Sequence, residues 1–135
     1  MDFGTAVGRY FSNYFNFQDR ARRAEFWWPV VMQLLVYLVL IFAHMTIFGV
    51  SGQGEMNAMS LLLTAVWLIF GLACLIPTLA VSVRRLHDKD MSGWWYLINL
   101  VPFGSLVLLF MYATEGTQGP NKYGPDPKDV SRGVF

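Results

Sequence analysis

The densest chemistry in this sequence lies between Arg84 and Trp95, in RRLHDKDMSGWW. His87 beside Asp88 is a pair that proton transfer or metal binding could use. Nothing else in the chain completes either use. A zinc or iron site needs three or four ligands, and a catalytic His–carboxylate pair needs a nucleophile within reach. The other histidine, His44, falls in the distal half of an apolar run, on the far side of any membrane that run crosses. The sole cysteine, Cys74, lies inside a second apolar run. No catalytic residue, metal ligand or cofactor is assigned, and the reading leans away from an enzyme. The arginines remain. A guanidinium grips phosphate with two parallel hydrogen bonds, so Arg20, Arg22, Arg23, Arg84 and Arg85 form a candidate site for an anion or an anionic lipid headgroup.

The elements that position these groups are hydrophobic. Residues 26–50, 59–83 and 94–114 contain no Asp, Glu, Lys or Arg. The first two exceed the roughly 20 residues that span a bilayer, and the third just reaches that length. Only 14% of the chain is charged, against about 25% in soluble domains. A net charge of +1 leaves no basic excess for nucleic acid. Trp27, Trp28, Trp94 and Trp95 stand where the polar segments meet the apolar runs, as an interfacial aromatic belt does. Residues 1–25 show no cleavable signal, so the first run is expected to act as an uncleaved anchor.

Within residues 2–17, Phe3, Ala6, Val7, Tyr10, Phe11, Tyr14 and Phe15 recur at helical spacing. The segment is too polar to span and is expected to lie as an interfacial amphipathic helix. Asp19 is the expected N-cap of a basic turn. Pro29 predicts a kink or a helix start. The tail at 115–135, with four glycines and three prolines, reads as irregular turns. The predicted architecture is therefore one all-α integral membrane domain, residues 1–135. It comprises an interfacial segment at 1–25, three transmembrane helices at 26–50, 59–83 and 94–114, and a Gly/Pro-rich tail.

Basic residues set the orientation. Arg9, Arg20, Arg22, Arg23, Arg84, Arg85 and Lys89 precede or separate the runs, while 51–58 holds none. Both basic segments, and the N-terminus, are expected in the cytoplasm. Pro102 and Gly104 interrupt the third run, so it either crosses fully or turns back as a re-entrant hairpin. Irregular backbone at membrane depth needs cover, which favours the crossing.

Three blocks, FNFQDRARRAEFWW at 15–28, RRLHDKDMSGWW at 84–95 and GTQGPNKYGPDP at 116–127, carry a likeness. The chain resembles the bacterial inner-membrane family called domain of unknown function 805. That resemblance implies a multi-pass protein of the bacterial cytoplasmic membrane and no particular reaction. Gln18-Asp19 departs from the family's usual basic residue and glycine.

Geometry adds two expectations. Glu25 and Arg84 fall at the same depth of an antiparallel helix pair, so a structural ion pair of Glu25 with Arg84 or Arg85 is expected, with Asp88 one turn from Arg84. Gln33, Tyr37 and His44 form one polar stripe, and Gly71, Cys74, Thr78 and Ser82 another, expected to face it. Helix packing explains both stripes, and an ion pathway is the sharper alternative. The functional expectation is a non-enzymatic adaptor or lipid-interacting subunit, with anionic lipid and a protein as partners. The alternative is a homo-oligomeric channel or transporter for a small ion or solute.

Overall fold

A computed structural model describes residues 1–49 and 58–128. It contains helices α1 (Phe3–Ser12), α2 (Arg23–Phe48), α3 (Ala58–Asp88) and α4 (Gly104–Ala113), with a 3₁₀-helix at Gly93–Leu100 before α4. The expected turn at 51–58, apart from Ala58, and the tail beyond Lys128 lie outside the described residues.

Among the described residues, only α2 and α3 are long and apolar enough to cross a membrane. At 1.5 Å per residue they run about 39 and 46 Å, beyond the roughly 30 Å hydrocarbon layer. Their apolar windows have mean hydropathies of 2.3 and 2.4, yet 0% and 6% of those windows is buried. A core helix of a soluble protein hides such a surface. These two leave it outside, as a lipid-facing helix does.

Packing is concentrated at one end. In α2 the buried residues are Glu25, Phe26 and Pro29, and in α3 they begin at Cys74 and continue through Asp88. Tyr10, Ala21, Phe26, Val81, Leu86, Leu108 and Tyr112 form the core there. The other halves touch through Tyr37, whose ring lies 5.1 Å from Trp67 and 5.4 Å from Phe70.

Helix α1 starts on Asp2, whose carboxylate accepts the Thr5 N–H at 2.7 Å. Ala6 and Tyr10 are fully buried against the bundle, while Phe3, Phe11 and Phe15 stay exposed. The expected Asp19 cap does not form. Helix α2 begins after Arg22, without a side-chain cap, and Asp19 accepts from Asn16 Nδ2 instead.

The third apolar run differs most from expectation. It is not one helix over 94–114. Asp90, at φ 59°, turns the chain out of α3, and the Met91 N–H bonds Leu86 O at 3.0 Å. The 3₁₀-helix then leads to a turn with Phe103 at φ 63°. Gly104 is required in that turn, because a Cβ would collide with the Ile98 carbonyl oxygen. Asn99 and Ser105 join the two limbs at 3.0 Å. Helix α4 returns so that Arg85 Nε, near the end of α3, donates to Tyr112 O at 3.1 Å. Both ends of the run therefore meet the same end of α3. Its limbs are about 16 and 15 Å long, half the hydrocarbon thickness each.

Candidate functional site

The charged segments and the tail converge on the C-terminal end of α3. Asp88 is the centre. Arg20 pairs with it at 3.0 Å, and Arg85, one turn earlier on the same helix, pairs with its other oxygen. All three side chains are buried. The remaining guanidinium donors meet backbone carbonyls. Arg20 reaches Gly119 O at 2.7 Å, Gly124 O at 3.2 Å and Thr117 O at 2.6 Å. Arg85 reaches Tyr112 O, Ala21 O and Thr114 O. Five donors in a planar fork suit this task as a lysine ammonium does not. The two arginines thus stitch the tail, the hairpin and the segment before α2 onto α3.

The backbone closes the same joint. Thr117 N–H donates to Asp88 O at 2.7 Å and Ala21 N–H to Arg84 O at 3.0 Å. A Cβ at Gly116 would collide with the Asp88 carboxylate. His87 stacks on Tyr123 with centroids 3.9 Å apart and planes 4° from parallel, and Asn121 Nδ2 donates to His87 O. Two tail carboxyls are tuned. Lys128 holds Glu115 below its ordinary range by hydrogen bond and charge. Burial pushes Asp126 up, but the Lys128 and Gly119 N–H groups outweigh it and hold Asp126 low. Lys89 is lowered by burial, with Arg85 adding repulsion.

Glu25 anchors a second pairing. Its oxygens accept from Arg84 Nη1 at 3.0 Å and from Arg9 Nη1 at 3.1 Å. Asp88 is not the partner of Arg84; Arg85 occupies it. Arg84 consequently keeps two buried donors, Nε and Nη2, without a hydrogen-bond partner among the described residues. Leaving such a donor unmet costs about 1–3 kcal/mol. Arg22 is in the same state, with Nε and Nη1 buried and unpartnered. Next to it in sequence, Arg23 lines a 390 Å³ cavity with Ala24, Trp27, Trp28, Val31 and Ala113. Arg23 itself makes only long contacts, 3.3 Å to Ala113 O and 3.4 Å to Glu115. Among the described residues no three His, Cys, Asp or Glu side chains are grouped to hold a metal ion.

The polar stripes meet over part of their length. Tyr10 Oη bonds Thr78 Oγ1 at 2.7 Å and Cys74 O at 3.0 Å, and Gln33 Nε2 reaches both hydroxyls at 3.4 Å. Tyr37 Oη faces Gly71, where a Cβ would sit 3.3 Å away. Ser82 bonds back to Thr78 O on its own helix. His44 is exposed and packs against Phe48 of α2.

One function of α1 went unread in the sequence. Pro77 has no N–H, so the Ala73 carbonyl four residues earlier loses its helical partner. Tyr14 Oη donates to that oxygen at 2.7 Å. Tyr10 Oη also reaches the neighbouring Cys74 carbonyl, at 3.0 Å. In a lipid-facing helix an unmet carbonyl is costly, and Tyr14, just past the end of α1, supplies the hydrogen. The available signal was the coincidence of a proline inside an apolar run with tyrosines four apart on a short amphipathic helix.

An all-helical fold with two exposed apolar helices and a charged joint at one end defines a helical membrane protein. The family model described as "Protein of unknown function (DUF805)" matches residues 14–125, and the chain belongs to that family. It is similar to the inner membrane protein YhaI of Escherichia coli strain K12, 42% identical over 117 residues, covering 86% of this chain and 89% of the relative. Inner membrane protein YhaH of the same strain is 38% identical, with 86% and 90% covered. Uncharacterized protein YiiR is 32% identical over 144 residues, with 86% and 88% covered. No solved structure matches the chain.

Proposed function

We propose that this is a two-crossing protein of the bacterial inner membrane whose joint faces the cytoplasm and holds anionic lipid headgroups, a non-enzymatic adaptor at the membrane surface. Helices α2 and α3 make the crossings, and residues 93–113 form a re-entrant hairpin from the cytoplasmic side. The full third crossing favoured by the sequence gives way to the hairpin because Arg85 ties the return limb to the helix end from which the outgoing limb departs. Two side-chain bonds meet polar groups of the hairpin, Ser105 Oγ to Asn99 Oδ1 at 3.0 Å and Trp27 Nε1 to Tyr112 O at 3.3 Å.

Orientation rests on charge. Arg9, Arg20, Arg22, Arg23, Arg84, Arg85, Lys89, Lys122 and Lys128 all gather at this end, and only Arg132 lies outside the described residues. Such an excess is retained in the cytoplasm.

The observation that carries the lipid reading is the state of Arg22 and Arg23. Arg20 and Arg85 are saturated by protein groups, whereas Arg22 keeps two unmet buried donors and Arg23 stands over a Trp-lined cavity. A phosphate on Arg23 with its chain along Trp27, Trp28 and Val31 suits this cavity, and Arg22, its neighbour in sequence, adds a second cation with unmet donors. A homo-oligomeric channel has less support, since Tyr10 closes one stripe onto the other at Gln33 and Thr78. The test is native mass spectrometry of Arg22→Gln, Arg23→Gln. Anionic phospholipid adducts should fall while zwitterionic adducts hold. Unchanged anionic adducts would end this reading.

A further inference from the structure

We propose that the cavity beside His87 is a second lipid site, one that takes a neutral lipid with a free hydroxyl, of the diacylglycerol class. The cavity holds about 440 Å³ and is lined by Phe17, Leu79, Val83, His87, Trp94 and Tyr123 among others, with no Asp, Glu, Lys or Arg in its wall. That volume lies within the roughly 300–1,000 Å³ of small-molecule sites. It opens between the last turns of α3 and the start of the hairpin, at the depth of the Trp94 and Trp95 belt.

His87 supplies the polar end. It is 7% exposed. Its Nδ1 lies 3.2 Å from Gln18 O and 3.1 Å from Asp19 O. Carbonyls only accept, so Nδ1 carries a proton, and in the neutral ring Nε2 holds the lone pair. Nε2 has no hydrogen-bond partner among the described residues. The Tyr123 stack holds the ring in place. The result is a fixed acceptor at the wall of an apolar chamber.

The chemistry of the occupant follows. An ionised phosphate or carboxylate would enter with no counter-charge in the wall, which is strongly unfavourable. A hydroxyl brings the single donor that Nε2 lacks and no charge. Diacylglycerol meets that description, and its chains remain in the leaflet that the belt tryptophans border. This site shares no lining residue with the Arg23 cavity, so the two readings stand or fall separately.

The experiment uses the full chain in detergent, with retention read by native mass spectrometry. Three probes share the same chains: dioctanoylglycerol, its methyl ether without the hydroxyl hydrogen, and dioctanoyl phosphatidic acid. Dioctanoylglycerol should be held roughly tenfold more tightly than the ether, the size expected for one buried hydrogen bond. Leu79→Trp, which fills the chamber from α3, should abolish dioctanoylglycerol retention and leave phosphatidic acid adducts as they were. Equal retention of alcohol and ether overturns the proposal, and so does loss of phosphatidic acid in Leu79→Trp. Should that variant fail to fold, the alcohol-to-ether comparison on the unaltered chain decides alone.

Discussion

Replacing Asp88 by alanine strikes the joint at its centre. Both carboxylate oxygens are committed, one to Arg20 and one to Arg85, and all three side chains are buried. After the substitution each guanidinium keeps its carbonyl acceptors at Gly119, Gly124, Thr117, Tyr112, Ala21 and Thr114. Arg20 Nε, which donates to Asp88 Oδ1 at 3.1 Å, is orphaned; the other donors keep acceptors, and the main damage is electrostatic. Two buried positive charges lose their only shared counter-charge and face each other. Breaking one buried pair costs about 3–5 kcal/mol, and the retained carbonyls argue for the lower end despite two partners being stranded. Such a loss is a large share of the 5–15 kcal/mol that holds most folds together. In a chain of this size it corresponds to a fall of about 10 °C in thermal midpoint, measured in detergent by loss of circular dichroism. Arg20→Met with Asp88→Ala should recover part of the loss by removing one stranded charge. A midpoint for Asp88→Ala within about 2 °C of the parent would refute the reasoning.

Three further outcomes are expected. Tyr14→Phe should cost about 1–3 kcal/mol by orphaning the Ala73 carbonyl; the cost should vanish when Pro77→Ala restores the helical N–H, and a thermal double-mutant cycle reads this coupling. Gly104→Ala should lower the midpoint sharply, since its Cβ strikes Ile98 O, whereas Gly8→Ala, where a Cβ meets nothing, should not. The tail should loosen in acid: Glu115 and Asp126 are held below their ordinary 4.5 and 3.8, so the folded state binds those protons less readily than the unfolded chain. Their stabilisation is present above those values and is lost as pH falls through the lowered ones. Protease sensitivity of the tail against pH measures it.

The sequence shows where the charges must gather but not how the third run behaves. The two long apolar helices were legible because length and the absence of charge suffice for a crossing. Glu25 and Arg84 were placed at one depth by counting residues along antiparallel helices, and the structure puts them 3.0 Å apart. For residues 94–114 the sequence favoured a full crossing, although 21 uncharged residues satisfy either path. What selects the hairpin is Arg85 reaching Tyr112 O and Thr114 O. Bonds from a side chain to a distant carbonyl leave no pattern in the acceptor residues. Arg20 escaped in the same way, since three of its acceptors are tail carbonyls at Thr117, Gly119 and Gly124. In Arg84 the sequence suggested Asp88 four residues on, but Arg85 and Arg20 take both of its oxygens.

The central claim, that every described charged segment meets at one membrane face, is tested most directly by cysteine accessibility in intact cells. In a Cys74→Ala background, single cysteines at Ser12, Gln118 and Ala58, all exposed positions, are offered a membrane-impermeant maleimide. The account expects Ala58→Cys to label from the periplasm, with Ser12→Cys and Gln118→Cys both protected until the membrane is opened. Labelling of Gln118→Cys in intact cells while Ser12→Cys stays protected would put the tail across the membrane from the N-terminus and contradict the hairpin.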